Sequence, residues 1–227
     1  MCGRFASALP ADELARIFAT LGPAPNLPPN WNVAPTQPAV GVRRHPQTGA
    51  RTLSVLTWGL LPHFIADPKT ARRPINARAE TAATSPLFRD AFARRRCLIP
   101  ADAYYEWRAL PDGKQPYAIA RADAAPLALG GLWEGHRSIE GEVTRSFAIL
   151  TVTASPDLRP LHERMPLVLD PAHWPAWLGE VEADVRPLLR AAVPGTLRAW
   201  KVSRAVNAVR NNGASLLAPD CAPAGAA

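Results

Sequence analysis

The chain has little cysteine, little lysine and no long apolar run, and each scarcity excludes something. Cys2, Cys97 and Cys221 are odd in number and far apart in a chain of 227 residues, so they form neither a disulfide framework nor a C-x-x-C metal site. A reducing cytosol is the expected compartment, and neither a cofactor nor a metal is expected. No apolar stretch approaches the roughly 18 residues that span a bilayer, and MCGRFASALPADEL lacks the apolar core of a signal peptide. Membrane insertion and secretion are therefore not expected. Because lysine is sparse, arginine carries most of the positive charge behind the formal net charge of +7. Arginine suits bidentate recognition of phosphate, although the abundance of alanine and proline equally fits a GC-rich genome that substitutes arginine for lysine. Nucleic acid is the first partner to consider, on weak compositional grounds.

What is present is a globular profile, 48% hydrophobic and 20% charged, long enough to bury one core. One domain over residues 1–217 is expected, with APDCAPAGAA (218–227) a disordered tail that has nothing large and apolar to bury. Leu14, Ile17, Phe18 and Leu21 share a helical face before Gly22, which predicts a helix over 11–21. The proline-rich stretch PAPNLPPNWNVAPTQP (23–38) reads as a loop. Residues 52–60, 97–107, 117–121, 127–134, 146–153 and 197–202 read as strands. Helical patterns fall at 84–95, at 171–178 with Asp170-Pro171 as cap and first turn, and at 184–192. The class is α+β and β-rich: a mainly antiparallel sheet or partial barrel with peripheral helices.

Cys2 follows the initiator methionine directly. Methionine aminopeptidases act when the second residue is small, so removal of Met1 would leave a cysteine with a free α-amine, a 1,2-aminothiol. The amine of such a residue has a reference pKa of about 7.7 to 8.0 and is partly an uncharged nucleophile at neutral pH. With an aldehyde it forms an imine, onto which the thiol closes to give a thiazolidine ring. By itself, a cysteine in this position is more often an accident of sequence.

Further segments change that balance: CGRF (2–5), WGLLP (58–62), PINARAET (74–81), YYEW (104–107), HERMPLVL (162–169) and VSRAVNAVRNNG (202–213). In order along nearly the whole chain, they resemble the SOS response-associated peptidase family, also called abasic site processing proteins. The resemblance implies a mixed α/β fold with a basic groove, in which the N-terminal cysteine crosslinks to the ring-opened sugar of an abasic site in single-stranded DNA. It assigns Cys2 as nucleophile and marks Asn76, Glu106 and His162 as its catalytic companions. His162 would move a proton to the sugar oxygen during ring opening, since imidazole titrates near neutral pH. Glu106, among Tyr104, Tyr105 and Trp107, would act as general acid/base in imine formation and its reversal. An ion pair with an arginine such as Arg78 is the competing structural role. Asn76 could hold the opened sugar or the amine, or satisfy backbone groups in a turn.

Arg4, Arg78, Arg89 and Arg210 are the candidate contacts to the DNA backbone, each of which could instead be a solvated charge. Phe64 and Trp107 are candidate stacking platforms, whereas Trp58 reads as core. Here the chain departs from the family pattern, with His63-Phe64 where bacterial members often carry tryptophan. A weak lyase activity, self-reversal and nucleoid association when linked are expected alongside the crosslink, from a monomer. Two other readings stand: a thiol peptidase or amidohydrolase using the same N-terminus, and a single-strand binding module in which Cys2 is dispensable.

Overall fold

A computed structural model describes residues 2–68, 70–111 and 113–220. In chain order its strands are β1 (Arg4–Ser7), β2 (Asn30–Val33), β3 (Pro38–Arg44), β4 (Arg51–Trp58), β5 (Asn76–Arg78), β6 (Arg96–Ala101), β7 (Ala103–Leu110), β8 (Gly113–Arg121), β9 (Leu127–Arg137), β10 (Val143–Thr153), β11 (Arg164–Pro166) and β12 (Leu197–Lys201). Its helices are α1 (Ala11–Ile17), α2 (Ala79–Ala82), α3 (Arg89–Arg94) and α4 (Trp174–Leu178).

Two sheets result. One has the order β12-β8-β7-β1-β2. In the other, pairing runs β10-β4-β3-β6-β9 and returns to β10, which closes five strands into a small barrel; β5 and β11 attach to β10 from outside that circuit. Closure leaves those five strands no free edge. The pairs are antiparallel except those of β10 with β4 and β5. The expected β-rich α+β class with antiparallel sheets, a partial barrel and few helices is what the chain adopts.

Alternation along β1 and β7 divides the core in two, because successive side chains of a strand face opposite ways. Phe5 and Tyr104 face the main core between the sheets, whereas Ala6 and Tyr105 face a smaller cluster with Val202, Val206 and Leu216. Trp58 is fully buried, edge-on to Phe5 at 5.0 Å and parallel to Phe147 at 6.1 Å, with its indole N–H donated to the Ile75 carbonyl. It is core, as its strand position suggests.

Several elements differ from expectation. The first helix stops at Ile17, because Ala19 turns into the left-handed region (φ 49°) and strands Leu21 outside the helix, exposed. Within the expected loop 23–38, the proline-free run NWNV forms β2 against β1. Strand 97–107 is two strands in different sheets, parted at Asp102, whose carboxylate accepts from the Ala8 amide. The helix expected over 84–95 is only α3, and over 184–192 there is a single 3-10 turn, Arg186–Leu188, with Pro187 lacking a donor. Asp170 does not cap its helix through its side chain; its carboxylate takes a hydrogen bond from Arg121 instead. Strand β3 is masked in the sequence by its Pro and Gly: a methyl group on Gly41 would lie 2.6 Å from Leu56 Cδ1, so glycine lets β3 pack there without displacing that side chain. Of the tail expected after residue 217, Pro219 bridges Val202 and the Asp220 amide donates to the Lys201 carbonyl. Residues 221–227, Cys221 among them, lie outside the described residues.

Candidate active site at the start of the chain

The pairing of β1 between β2 and β7 draws the chain's beginning into the protein. Cys2, two residues ahead of β1, is fully buried, and its thiol points toward the Arg4 carbonyl at 3.8 Å. Burial pushes the Cys2 thiol far above the usual range, and the negative charge of Glu106 pushes it further. The thiol is therefore protonated at neutral pH.

Three elements position the remaining candidates: Asn76 touches Cys2, and Glu106, within electrostatic reach of it, shares a cleft with His162. Parallel pairing of β5 with β10 sets Asn76 beside Ile149, and the Asn76 amide N–H donates to the Cys2 carbonyl at 2.8 Å. The buried Asn76 Oδ1 has no hydrogen-bond partner among the described residues. Glu106 follows Tyr104 on the same face of β7 and is 5% exposed. Tyr104 is buried beside both: burial raises its hydroxyl well above the phenol range, with the charges of Cys2 and Glu106 acting in the same direction. His162 stands two residues before β11, and its Nδ1 accepts the Arg164 backbone N–H at 2.9 Å. That bond makes Nε2 the proton-bearing nitrogen of the neutral ring.

Glu106 and His162 line a cleft of about 430 Å³ with Arg4, Trp107, Lys114 and Asn207. They also line a small hollow with Tyr104 and Arg164. Arg4 and Trp107 form one wall: the guanidinium lies 5.8 Å from the ring centroid, and the indole N–H donates to Asn207 at 2.7 Å. Arg4 itself donates to Asn32 Oδ1 at 2.7 Å and to the Val206 carbonyl at 2.9 Å, so it is fixed rather than mobile. Asn32 in turn donates to the carbonyls of Val206, Ala208 and Asn211. This ties the VNAVRNNG segment to β2 and gives that motif a structural reason.

The other sequence candidates are placed differently. Arg78 is exposed at the end of β5, and its charge joins the Arg164 hydrogen bonds in holding Glu80 below the usual carboxylate range. Arg210 is exposed on the segment that Asn32 holds, outside the cleft lining. Arg89 is exposed on α3, beside Asp90, and is not part of the cleft. Phe64 is 52% exposed on the loop between β4 and β5, edge-on to His63. Sequence reasoning passed over Arg164, which chelates Glu80 and reaches the Thr151 carbonyl, so that it pins α2 and β10 beneath His162. Its place inside HERMP was the available signal.

A two-sheet, β-rich domain that buries its second residue beneath a polar cleft is the class that fold and site define. The chain belongs to the SOS response associated peptidase (SRAP) family: that family's model matches residues 1–209. It is 32% identical to the abasic site processing protein YoqW of Bacillus subtilis, covering 96% of this chain and 99% of that one. It is also 32% identical to the abasic site processing protein YedK of Escherichia coli, over 96% and 100%. The abasic site processing protein HMCES of Xenopus tropicalis is 27% identical over 97% of this chain and 77% of its own length. Among solved structures, a protein of Bordetella bronchiseptica superposes with a TM-score of 0.77 at 30% identity, covering 89% of this chain and 100% of that one. A protein of Bacteroides thetaiotaomicron has the same fold, with a TM-score of 0.85 at 21% identity over 96% and 99%.

Proposed function

We propose that this protein processes abasic sites in DNA by capturing the lesion covalently on Cys2 after loss of Met1. The observation that carries this reading is the convergence of Asn76 on the Cys2 carbonyl beneath a cleft that Glu106 and His162 share. The relatives' abasic site processing names point the same way. Met1 lies outside the described residues.

The chemistry runs in four steps. The proton of the C1′ hydroxyl passes through water to the ring oxygen, to which His162 Nε2–H donates a hydrogen bond, and the closed sugar opens to the aldehyde. The Cys2 amine adds to that carbon; Glu106 passes a proton to the departing hydroxyl, and water leaves as the imine forms. The thiol then adds across the C=N bond, its proton passing to nitrogen through Glu106, and the thiazolidine closes. Because burial keeps the thiol protonated, the amine makes the first attack and the sulfur follows. Asn76 Oδ1 is the acceptor for the liberated amine, so the freed N-terminus fills a bond left open in the unprocessed chain.

A single strand is the substrate because the sugar must leave the duplex to reach a buried cysteine, and a baseless nucleotide unstacks at least cost. Arg4, Arg78 and Arg210 hold its backbone, while Trp107 and Phe64 stack on neighbouring bases. An imine that does not close is open to β-elimination, which gives a weak lyase activity, and reversal through Glu106 frees the protein. To test this, the protein is incubated with an oligonucleotide bearing one abasic site and run on a denaturing gel. A stable adduct is expected from the native chain. Cys2→Ser is expected to give only a borohydride-trappable imine, and a stable adduct from that variant would refute ring closure.

A further inference from the structure

A second, larger cleft lies between the β3–β4 turn, the end of α3 and the end of α4. It encloses about 650 Å³ and is lined by Arg44, Arg94, Arg95, Arg96, His45 and Trp133, among others, with no acidic residue in the lining. It shares no lining residue with the cleft of Glu106 and His162.

Except at Arg95, hydrogen bonding in this cleft satisfies arginine donors without cancelling charge. Arg96 donates to the carbonyls of Trp177, Phe92 and Ala93, and Arg44 to those of Gly179 and Gly49; all are neutral. Capping the ends of α3 and α4 accounts for Arg96. It does not account for Arg94, which is exposed and whose side chain makes no ion pair or hydrogen bond among the described residues. Only Arg95 meets a carboxylate, Glu134, and His63 shares that carboxylate. Behind the lining, Arg43 lies 4.8 Å from the Trp133 ring centroid and within electrostatic reach of Arg145. Four lining arginines with one contacted carboxylate leave the cleft net positive, a surface that attracts an anion.

The cleft is also joined to the candidate active site by one loop. Residues 59–75 leave β4 with Gly59 bonded to the Phe147 carbonyl and return at Asn76. Midway, His63 touches both Glu134 (3.2 Å) and Arg95 (3.4 Å), and the next residue is the exposed Phe64. A strand stacked on Phe64 would therefore lie next to His63, which contacts Arg95 of the cleft lining.

We propose that the Arg44–Arg94–Arg95–Arg96 cleft is a second nucleic-acid site that grips the phosphate backbone of a single strand some nucleotides away from the captured sugar. The choice of ligand rests on the proposed function; the charge cluster does not. The cleft acts whether or not a lesion is present, so it gives the protein affinity for undamaged strands and a way to scan them.

Equilibrium binding to an undamaged oligonucleotide of about 30 nucleotides, longer than the roughly 4 to 16 covered by one single-strand platform, tests this by fluorescence anisotropy at several salt concentrations. Arg94→Glu, which removes no contact within the fold, is expected to weaken binding about fivefold and to make the salt slope shallower by about 0.7. Arg44→Ala added to it is expected to deepen both effects, with adduct yield on an abasic hexamer unchanged. An unchanged affinity and slope in Arg94→Glu would overturn the proposal, as would a mononucleotide that binds as tightly as the long strand. Because the probe carries no lesion, failure of the crosslink chemistry would leave this result intact, and the hexamer arm reports on that chemistry separately.

Discussion

Cys2 and Cys97 are both fully buried, and burial pushes both thiols far above the ordinary range. Their surroundings then act in opposite senses: Glu106 raises the Cys2 thiol further, whereas Arg43 favours the Cys97 thiolate. The net effect is the same strong upward shift for both, so acidity alone does not separate them. Cys97 is walled in, since it lies in a strand of the barrel and a methyl group on Gly131 would meet its sulfur at 3.0 Å. Cys2 is beside Glu106, which lines a cleft, and Asn76, at a point in the chain where loss of Met1 would expose an amine. The difference teaches that burial alone does not mark a reactive cysteine; in the mechanism proposed above, Cys2 is set apart by its neighbours and its place in the chain, with the amine as first nucleophile.

The contrast breaks most sharply under substitution of each cysteine. Cys2→Ala is expected to abolish the stable adduct, whereas Cys97→Ala keeps its full yield on a denaturing gel while losing about 1 to 2 kcal/mol of stability in denaturant titration. Next in size, His162→Ala is expected to slow adduct formation about a hundredfold or more. An open-chain aldehyde, which needs no ring opening, should react with that variant at close to the native rate. A uniform loss on both substrates would make His162 merely structural.

The third prediction concerns pH. Both folded thiols lie above the ordinary value of 9.0, so the unfolded chain ionises its cysteines first. Stability from this source is complete below pH 9 and falls as pH rises toward the folded values. Buried Tyr104 and Tyr105 act in the same direction above pH 10. Cys97→Ala should therefore show a shallower loss between pH 8 and 10. Smallest is Glu80→Gln: Glu80 is held low by Arg164, so its contribution is present above the ordinary value of 4.5 and lost as pH falls. Being half exposed, it should cost less than about 1 kcal/mol at neutral pH.

Much of the site was legible because its residues sit in short, distinctive runs. YYEW alternates faces on β7, so Tyr104 and Glu106 look toward Cys2 while Tyr105 looks away. HERMP puts the Arg164 amide within reach of His162 Nδ1. What escaped were features made by distant partners. Strand β2 needs β1 beside it, β3 needs the close approach of Leu56 to Gly41, and β5 and β11 are three-residue strands defined by β10. The second cleft was equally invisible, because Arg44 and the run from Arg94 to Arg96 are about fifty residues apart and meet only when β3 pairs with β6.

The most direct test is intact mass spectrometry of the adduct formed with an abasic oligonucleotide, followed by peptide mapping. The account predicts a species equal to the chain without Met1 plus the oligonucleotide less one water, with the link on the N-terminal cysteine. An adduct that retains Met1, or one that maps to Cys97 or to a lysine, would contradict it.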